Sequence, residues 1–188
     1  MFNQTAEIAL GCGTAIGRLS SDDMRAIVEE ALEPIPAGAR VLAVIPDKTR
    51  DDNTNVLFPM AAQILQGRRV AAFDALVAQG THTPMTRRAK RWQKIGGEGL
   101  TGVGQVFDHR WDDPEEISMI GALSADQVTR LTGGAFQESV PVSINRLIAS
   151  GEYDFILLFT ATVPHEVVGF AGGAKYFFPA SPAPSLHT

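Results

Sequence analysis

The 188-residue sequence is poor in cysteine, in basic charge and in long apolar runs, and each shortage excludes a class of protein. A single cysteine, Cys12, excludes an internal disulfide framework and fits a reducing compartment. With a formal net charge of −5 there is no basic stripe to neutralise phosphates, so no nucleic-acid partner is expected. No apolar run is long enough for a membrane span, and the N-terminus has no charged head before an apolar stretch. We therefore expect a soluble cytoplasmic protein without a membrane partner.

The remaining composition is that of an ordinary globular protein. At 188 residues the chain suits one domain, or a domain and a half, with a substantial core. Its apolar fraction of 45% and charged fraction of 20% are usual for such domains. The one local basic run, residues 87–91, is interpreted as the solvated face of a helix.

Helical and strand patterns alternate along the chain. Ser20 and Ser21 are N-cap candidates for a first helix that ends near Leu32, and Ser124 is the N-cap candidate for a later one. Further helices are predicted at residues 56–66, 85–94 and 144–150, and strands at 41–45, 69–77, 104–108, 117–121, 139–143 and 153–160. This alternation predicts an α/β fold with a mostly parallel sheet flanked by helices.

Three polar segments follow predicted strands. Residues 47–50 follow the first strand, His82 follows the second, and His165 follows the last. In open α/β sheets, ligands bind at the carboxyl ends of the strands. The sequence therefore predicts that these three segments converge on one crevice.

The segment from Val163 to Ala180 is the most informative part of the sequence. Gly169, Gly172 and Gly173 can adopt backbone angles closed to other residues, and Lys175 follows them. A lysine in this position can clamp a phosphate or act as a covalent amine nucleophile. The phosphate-binding motif GxxxxGK[ST] is not matched, because a tyrosine stands where the magnesium-binding hydroxyl is required. Nucleotide hydrolysis is therefore not expected.

Each candidate side chain also has a structural interpretation. His82 could be a simple turn histidine, and Asp47 and Arg50 could form a local ion pair of little energetic value. Arginine also suits bidentate contact with a carboxylate or a phosphate. His109 is interpreted as a structural or supporting residue, and the aromatic run 176–178 as packing.

Three motifs together resemble one family. Residues 164–175 (PHEVVGFAGGAK, followed by YFFP), 46–50 (PDKTR) and 80–86 (GTHTPMT) are similar to the signatures of the nickel-dependent lactate racemases. The resemblance covers residues 38–179 and implies the Rossmann-like N-terminal domain of a two-domain family. It divides the chain into this domain, residues 1–179, and a tail, residues 180–188, that departs from the family pattern. A frameshift is one explanation of the tail, and a disordered Ala/Pro/Ser-rich tail is the other.

The resemblance implies racemisation of a 2-hydroxy acid, lactate or a relative, by hydride transfer to a nickel pincer nucleotide. It implies that His82 and His165 are the paired acid and base, and that Lys175 holds the cofactor covalently. Histidine suits this role because its unperturbed pKa lies near neutrality. Asp47 and Arg50 would bind the nucleotide, while the neighbouring glycines, Gly172 and Gly173, would admit its phosphate or ring. No metal ligand is assigned, because His187 is too close to Lys175 to match the family's nickel ligand.

Two alternatives to a complete enzyme remain. The chain could be a module that binds a nucleotide or hydroxy acid without turnover. It could also be a non-catalytic fragment that needs a C-terminal domain, supplied by a partner chain, to complete the cleft. An apolar surface left bare without that domain would favour self-association.

Overall fold

The computed structural model describes residues 10–11, 17–50, 52–80, 82–97, 100–166 and 169–177, without the side chains of Trp92 and Ala174. Cys12, Phe178 and the predicted tail 180–188, including His187, lie outside these residues. Within them the strands are β1 (Arg40–Pro46), β2 (Ala72–Ala78), β3 (Val106–Asp108), β4 (Ile117–Leu123), β5 (Val140–Asn145), β6 (Phe155–Leu158), β7 (Val163–His165) and β8 (Gly169–Ala171). The α-helices are α1 (Ser21–Ala31), α2 (Thr54–Gly67), α3 (Arg87–Lys90), α4 (Ala125–Leu131) and α5 (Arg146–Ala149). Helix α3 continues into a π-helical turn, Arg91–Ile95, and short 3-10 turns span Pro114–Glu116 and Gly173–Tyr176.

A four-stranded parallel sheet in the order β3-β2-β1-β6 is the centre of the fold. Strand β1 is buried from Val41 to Pro46, because its apolar side chains are covered on both faces of the sheet. On one face, Phe58 of α2 stacks on Phe73 of β2 with ring centroids 4.9 Å apart. On the other face, Leu42, Leu76 and Tyr153 pack with side chains of α5. The predicted α/β class with a flanked parallel sheet is confirmed.

The helix starts predicted from serine are present. The Ser20 hydroxyl accepts a hydrogen bond from the Asp23 N–H, and the Asp23 carboxylate accepts one from the Ser20 N–H, which forms a capping box. Ser124 and Gln127 form the same arrangement at α4. These local signals placed both helix starts correctly.

A buried polar contact joins the sheet to the segment before β6. The Tyr153 hydroxyl donates a 2.8 Å hydrogen bond to Oδ2 of Asp74, while Oδ1 accepts one from the Gln105 N–H at 2.6 Å. Burial, together with the hydrogen bond and the negative charge of Asp74, raises the pKa of Tyr153 to about 12. This contact holds the phenol in its protonated form.

Two features of the strand organisation were not predicted from the sequence. Strands β4 and β5 pair antiparallel, outside the parallel sheet, and Met119 and Ile120 of β4 are exposed. A sheet with one solvated face is typical of antiparallel pairing, so alternation of strand and helix along the chain did not imply parallel pairing here. The glycine-rich segment after β6, predicted as a loop, contains the antiparallel hairpin β7–β8.

Smaller differences have local causes. Strand β2 starts at Ala72 rather than at residue 69, because Arg69 has a positive φ of 59°. Helix α5 starts at Arg146, because Asn145 is its N-cap and accepts a hydrogen bond from the Leu147 N–H. The basic run 87–91 is only partly solvated, since Lys90 is buried and contacts Asp108. None of the helices in the described ranges is long and apolar enough to cross a membrane.

Candidate active site

The strand order creates a crevice beside β1. Strands β2 and β3 lie on one side of β1, and β6 lies on the other. The chain therefore extends the sheet first to one side of β1 and later to the other side. Ligands of open α/β sheets bind at such a switch point, outside the carboxyl ends of the strands. Asp47 is the first residue after β1, and Gln79 is the first after β2.

A cavity of about 380 Å³ occupies this position. It collects side chains from all three predicted polar segments. The lining residues are Asp47, Thr49, Arg50, Ala78, Gln79, Gly80, His82, His109, His165, Lys175 and Tyr176. Five of the seven predicted site residues therefore share one cavity: Asp47, Arg50, His82, His165 and Lys175.

Asp47 and His82 form the best-defined pair in the cavity. Nδ1 of His82 lies 2.7 Å from Oδ2 of Asp47. The other carboxylate oxygen accepts hydrogen bonds from the Thr49 hydroxyl at 2.6 Å and from the Thr49 N–H at 3.1 Å. Asp47 and Arg50, both of which the structure describes, form no ion pair with each other. The interpretation of these two residues as a local ion pair is therefore not supported.

The surroundings of Asp47 keep its carboxylate ionised. Burial acts to raise the pKa of Asp47, but the hydrogen bonds of Thr49 and His82 outweigh it, and the pKa is lowered. An ionised carboxylate can only accept hydrogen bonds, so the facing Nδ1 of His82 carries a proton. Nε2 of a neutral His82 is then the unprotonated nitrogen, which can act as a base.

The hairpin β7–β8 carries the second histidine. His165 ends β7 and is partly buried, and its Nδ1 lies 3.9 Å from Oε2 of the exposed Glu166. The hairpin leads through Gly172 into the turn that contains Lys175. Both His165 and Lys175 therefore enter the cavity from the segment that follows β6.

Gly172 and Gly173 have a packing role in this structure. Gly172 has a φ of +88°, and a Cβ at this position would collide with the Ala161 carbonyl oxygen and the Thr160 side chain. The Gly173 N–H donates a 3.1 Å hydrogen bond to the Thr160 hydroxyl. Neither glycine is among the described residues that line the cavity, although both fix the turn that presents Lys175.

Two further lining residues were not predicted as functional. Tyr176, interpreted from the sequence as packing, lines the cavity, and burial raises its pKa. His109 is buried, and Nδ2 of Asn145 donates to its Nδ1 at 3.1 Å. Since Oδ1 of Asn145 accepts from the Leu147 N–H, the amide orientation is fixed and Nδ1 of His109 is an acceptor. Gln79 also donates to the His109 carbonyl oxygen at 3.0 Å.

The described residues contain no group of three or more His, Cys, Asp or Glu side chains that could hold a metal ion. What they provide is three imidazoles, one amine, one guanidinium and a buried carboxylate around a single cavity. Such a set can transfer protons and bind an anion.

Comparisons with known proteins give the family and the fold of the chain. A model of the lactate racemase N-terminal domain matches residues 21–183. The fold is similar to the crystal structure of a Thermotoga maritima protein, with 30% sequence identity, a TM-score of 0.78 and 87% of this chain covered. The matching region is 38% of the Thermotoga protein's length. No functionally curated protein matches the chain. The extent of the domain match shows that the chain belongs to the lactate racemase family, through its N-terminal domain.

Proposed function

We propose that this chain provides the N-terminal half of the active site of a 2-hydroxy-acid racemase. The observation that carries the proposal is the convergence of His82, His165 and Lys175 on one cavity at the carboxyl end of β1. Two of these side chains come from opposite sides of β1: His82 from the segment after β2, and His165 from the hairpin after β6.

The two histidines suit the proton transfers of racemisation. A racemase must handle either enantiomer, so it needs one acid–base group for each orientation of the substrate hydroxyl. His82 is oriented by the ionised carboxylate of Asp47, which leaves its Nε2 to take the hydroxyl proton of one enantiomer. His165, on the other wall, serves the opposite enantiomer.

The residues present also fit a nickel pincer nucleotide. Lys175 offers a partly buried amine as a covalent attachment point, and Arg50 offers a guanidinium for its phosphate or for the substrate carboxylate. When bound, the group supplies an acceptor for the hydride of the substrate α-carbon, a step that no protein side chain can perform. We assign no nickel ligand to the described part of this chain.

The role that we propose for Asp47 differs from the one that the family resemblance implies. Its carboxylate is engaged by Thr49 and His82, so we propose that it orients the acid–base histidine rather than binding the nucleotide directly. Arg50 keeps the anion-binding role, because its side chain lines the same cavity.

The rest of the cleft is proposed to come from a second domain. In support, the matching region spans 38% of the Thermotoga maritima protein. We propose residues 1–179 as the N-terminal domain of this arrangement, with a small hydroxy acid as substrate and the cytoplasm as its location. The same coverage favours one alternative, a fragment that binds a nucleotide or hydroxy acid without turnover.

Turnover with site variants tests the proposal. The chain is joined to a C-terminal domain of the family and co-expressed with cofactor-making enzymes. This protein should convert one lactate enantiomer into the racemate, and chiral chromatography measures the conversion. His82→Ala and His165→Ala should each abolish conversion while the cofactor stays attached. Near-normal turnover in either variant would contradict the paired acid–base scheme.

The attachment point is tested by intact-mass analysis of the same preparations. The wild-type chain should carry an adduct, and Lys175→Ala should lack it. Lys48→Ala is the matched control, because Lys48 is an exposed lysine next to Asp47 that does not line the cavity. An adduct that persists in Lys175→Ala would exclude this lysine as the attachment point.

A further inference from the structure

A buried lysine holds the loop that follows β1. Lys94 is 4% exposed, and its Nζ donates a 2.7 Å hydrogen bond to the main-chain carbonyl oxygen of Arg50. The same Nζ lies 3.1 Å from Oδ2 of Asp52, whose side chain is also 4% exposed. One ammonium group therefore fixes both the main chain of Arg50 and the carboxylate two residues later.

The carboxylate of Asp52 connects this contact to the start of α2. Its Oδ1 accepts a 2.8 Å hydrogen bond from the N–H of Thr54, the first residue of α2. The two oxygens of Asp52 thus have different partners, one on the helix and one on Lys94. Hydrogen bonds therefore hold both ends of the segment between β1 and α2. Thr49 and His82 hold Asp47, and Thr54 and Lys94 hold Asp52.

Lys94 belongs to the π-helical turn Arg91–Ile95. The turn ends at Gly96, which has a φ of 93° and packs so closely on Pro59 of α2 that a Cβ would collide with the proline ring. Single π turns inside helices are frequent at functional sites, because they change which side chains face a neighbour. Here the turn brings a charged side chain to a buried position against the β1–α2 loop.

We propose that Lys94 is a positioning residue for Arg50, and that the Lys94–Asp52 pair sets where the Arg50 side chain enters the cavity. The inference deepens the proposed function, because it concerns the anion-binding group of the same site. Lys94 itself does not line the cavity. Its influence on a bound phosphate or carboxylate is therefore indirect and passes through the main chain of Arg50.

A second buried lysine on the same helical segment provides a matched control. Nζ of Lys90 lies 2.5 Å from Oδ2 of Asp108, and Lys90 is 8% exposed. Replacing either lysine by methionine leaves a carboxylate without its partner, a buried one at Asp52 and a partly buried one at Asp108, which lowers stability in both cases. Only Lys94 contacts the loop that carries Arg50, so only its loss should alter that loop in the folded state.

Amide hydrogen exchange in the 188-residue chain is the first test. The Thr49 N–H donates to Oδ1 of Asp47 and the Arg50 N–H donates to the Asp47 carbonyl oxygen, so both amides report loop order. In Lys94→Met their exchange should accelerate by roughly tenfold or more relative to the amides of β1. In Lys90→Met the ratio of loop to β1 exchange should stay at the wild-type value. Equal acceleration in both variants, or none in Lys94→Met, would overturn the proposal.

Ligand binding is the second readout, with nicotinic acid mononucleotide as a pyridinium mononucleotide probe in titration calorimetry. Lys94→Met should weaken probe binding by roughly tenfold, and Lys90→Met should not. If the wild-type chain does not bind the probe, the cofactor part of the proposed function fails, while hydrogen exchange still decides the role of Lys94.

Asp52→Asn covers the case in which Lys94→Met does not fold. Asparagine keeps an acceptor for the Thr54 N–H and removes the charge that holds Lys94. The loop amides should then exchange faster while those of α2 stay protected. Unchanged exchange at Thr49 and Arg50 in this variant would also overturn the proposal.

Discussion

Nδ1 of His82 lies 2.7 Å from Oδ2 of Asp47, and the two side chains differ sharply in exposure, at 51% for the imidazole and 4% for the carboxylate. The buried partner is fixed by Thr49, so the more exposed ring takes its orientation from it. A histidine held in this way presents its second nitrogen to the cavity in a defined tautomer.

The lowered pKa of Asp47 predicts an acid-dependent loss of stability. Its ionised form stabilises the fold fully above the unfolded pKa, near 4, and this contribution is lost as pH falls through the lower folded pKa. Asp47→Asn should therefore be less stable than wild type at pH 7, by about 1–2 kcal/mol, with the difference shrinking below pH 4. Urea unfolding at pH 7, 5, 3.5 and 2.5 measures it.

Asp112→Asn is the control for this series. The Asp112 side chain is 58% exposed and lies 3.4 Å from the exposed Arg110, a surface ion pair that contributes little to stability. Its substitution should change stability by less than about 0.5 kcal/mol across the pH range. A pH-independent difference for Asp47→Asn would contradict the assigned ionisation.

Gly172 and Gly169 provide a pair of glycine variants that differ in packing. Both have positive φ angles, +88° and +79°, but only Gly172 would place a Cβ against the Ala161 carbonyl oxygen. We expect Gly169→Ala to cost about 1 kcal/mol from backbone strain, and Gly172→Ala to cost roughly 1–3 kcal/mol more. Urea unfolding measures the loss of stability in both variants. Equal losses would contradict the expected collision at Gly172, because they would show that the turn accommodates the added Cβ.

Tyr153→Phe tests the buried hydrogen bond to Asp74. At pH 7 we expect a loss of about 1–2 kcal/mol, because Oδ2 of Asp74 loses its donor. The pKa of Tyr153, about 12, lies above its unfolded value near 10, so this contribution is fully present below pH 10 and disappears as pH rises towards 12. Unfolding at pH 7, 10 and 11.5 should show the two proteins converging. A constant difference would contradict the shifted pKa.

The 188-residue chain alone should fold but racemise lactate poorly. Its sheet has buried β strands and a core of its own, whereas the matching region is only 38% of the Thermotoga maritima protein. Circular dichroism tests folding, because a folded chain unfolds cooperatively. Chiral chromatography after addition of the cofactor measures the racemase activity. Turnover comparable to that of a two-domain relative would show that the catalytic unit is smaller than proposed.

Local signals made much of the fold predictable. Ser20 and Ser124 cap their helices through partners three residues away, and the apolar run 41–45 forms β1 with one extra residue at each end. The convergence of His82, His165 and Lys175 also followed from the sequence, because parallel strands bring their carboxyl ends to one edge.

The remaining features depend on contacts between distant residues. Lys94 contacts Arg50 across 44 positions of sequence, and His109 contacts Asn145 across 36. No local sequence pattern therefore connects Lys94 or His109 with the site. The hairpin β7–β8 has strands of three residues, too short for a periodic signal. The antiparallel pairing of β4 and β5 was missed because alternation along the chain does not specify strand direction.

The pairing of β1 with β6 has a consequence for the order in which the cavity is assembled. The N–H of Arg40 donates a hydrogen bond to the carboxylate of Asp154, 114 positions later, so this side of the sheet closes only after β6 has been synthesised. The wall with Asp47 and His82 can form from β1 and β2 during synthesis, while Lys175 arrives last. We therefore expect cofactor attachment to follow folding of the sheet rather than to guide it.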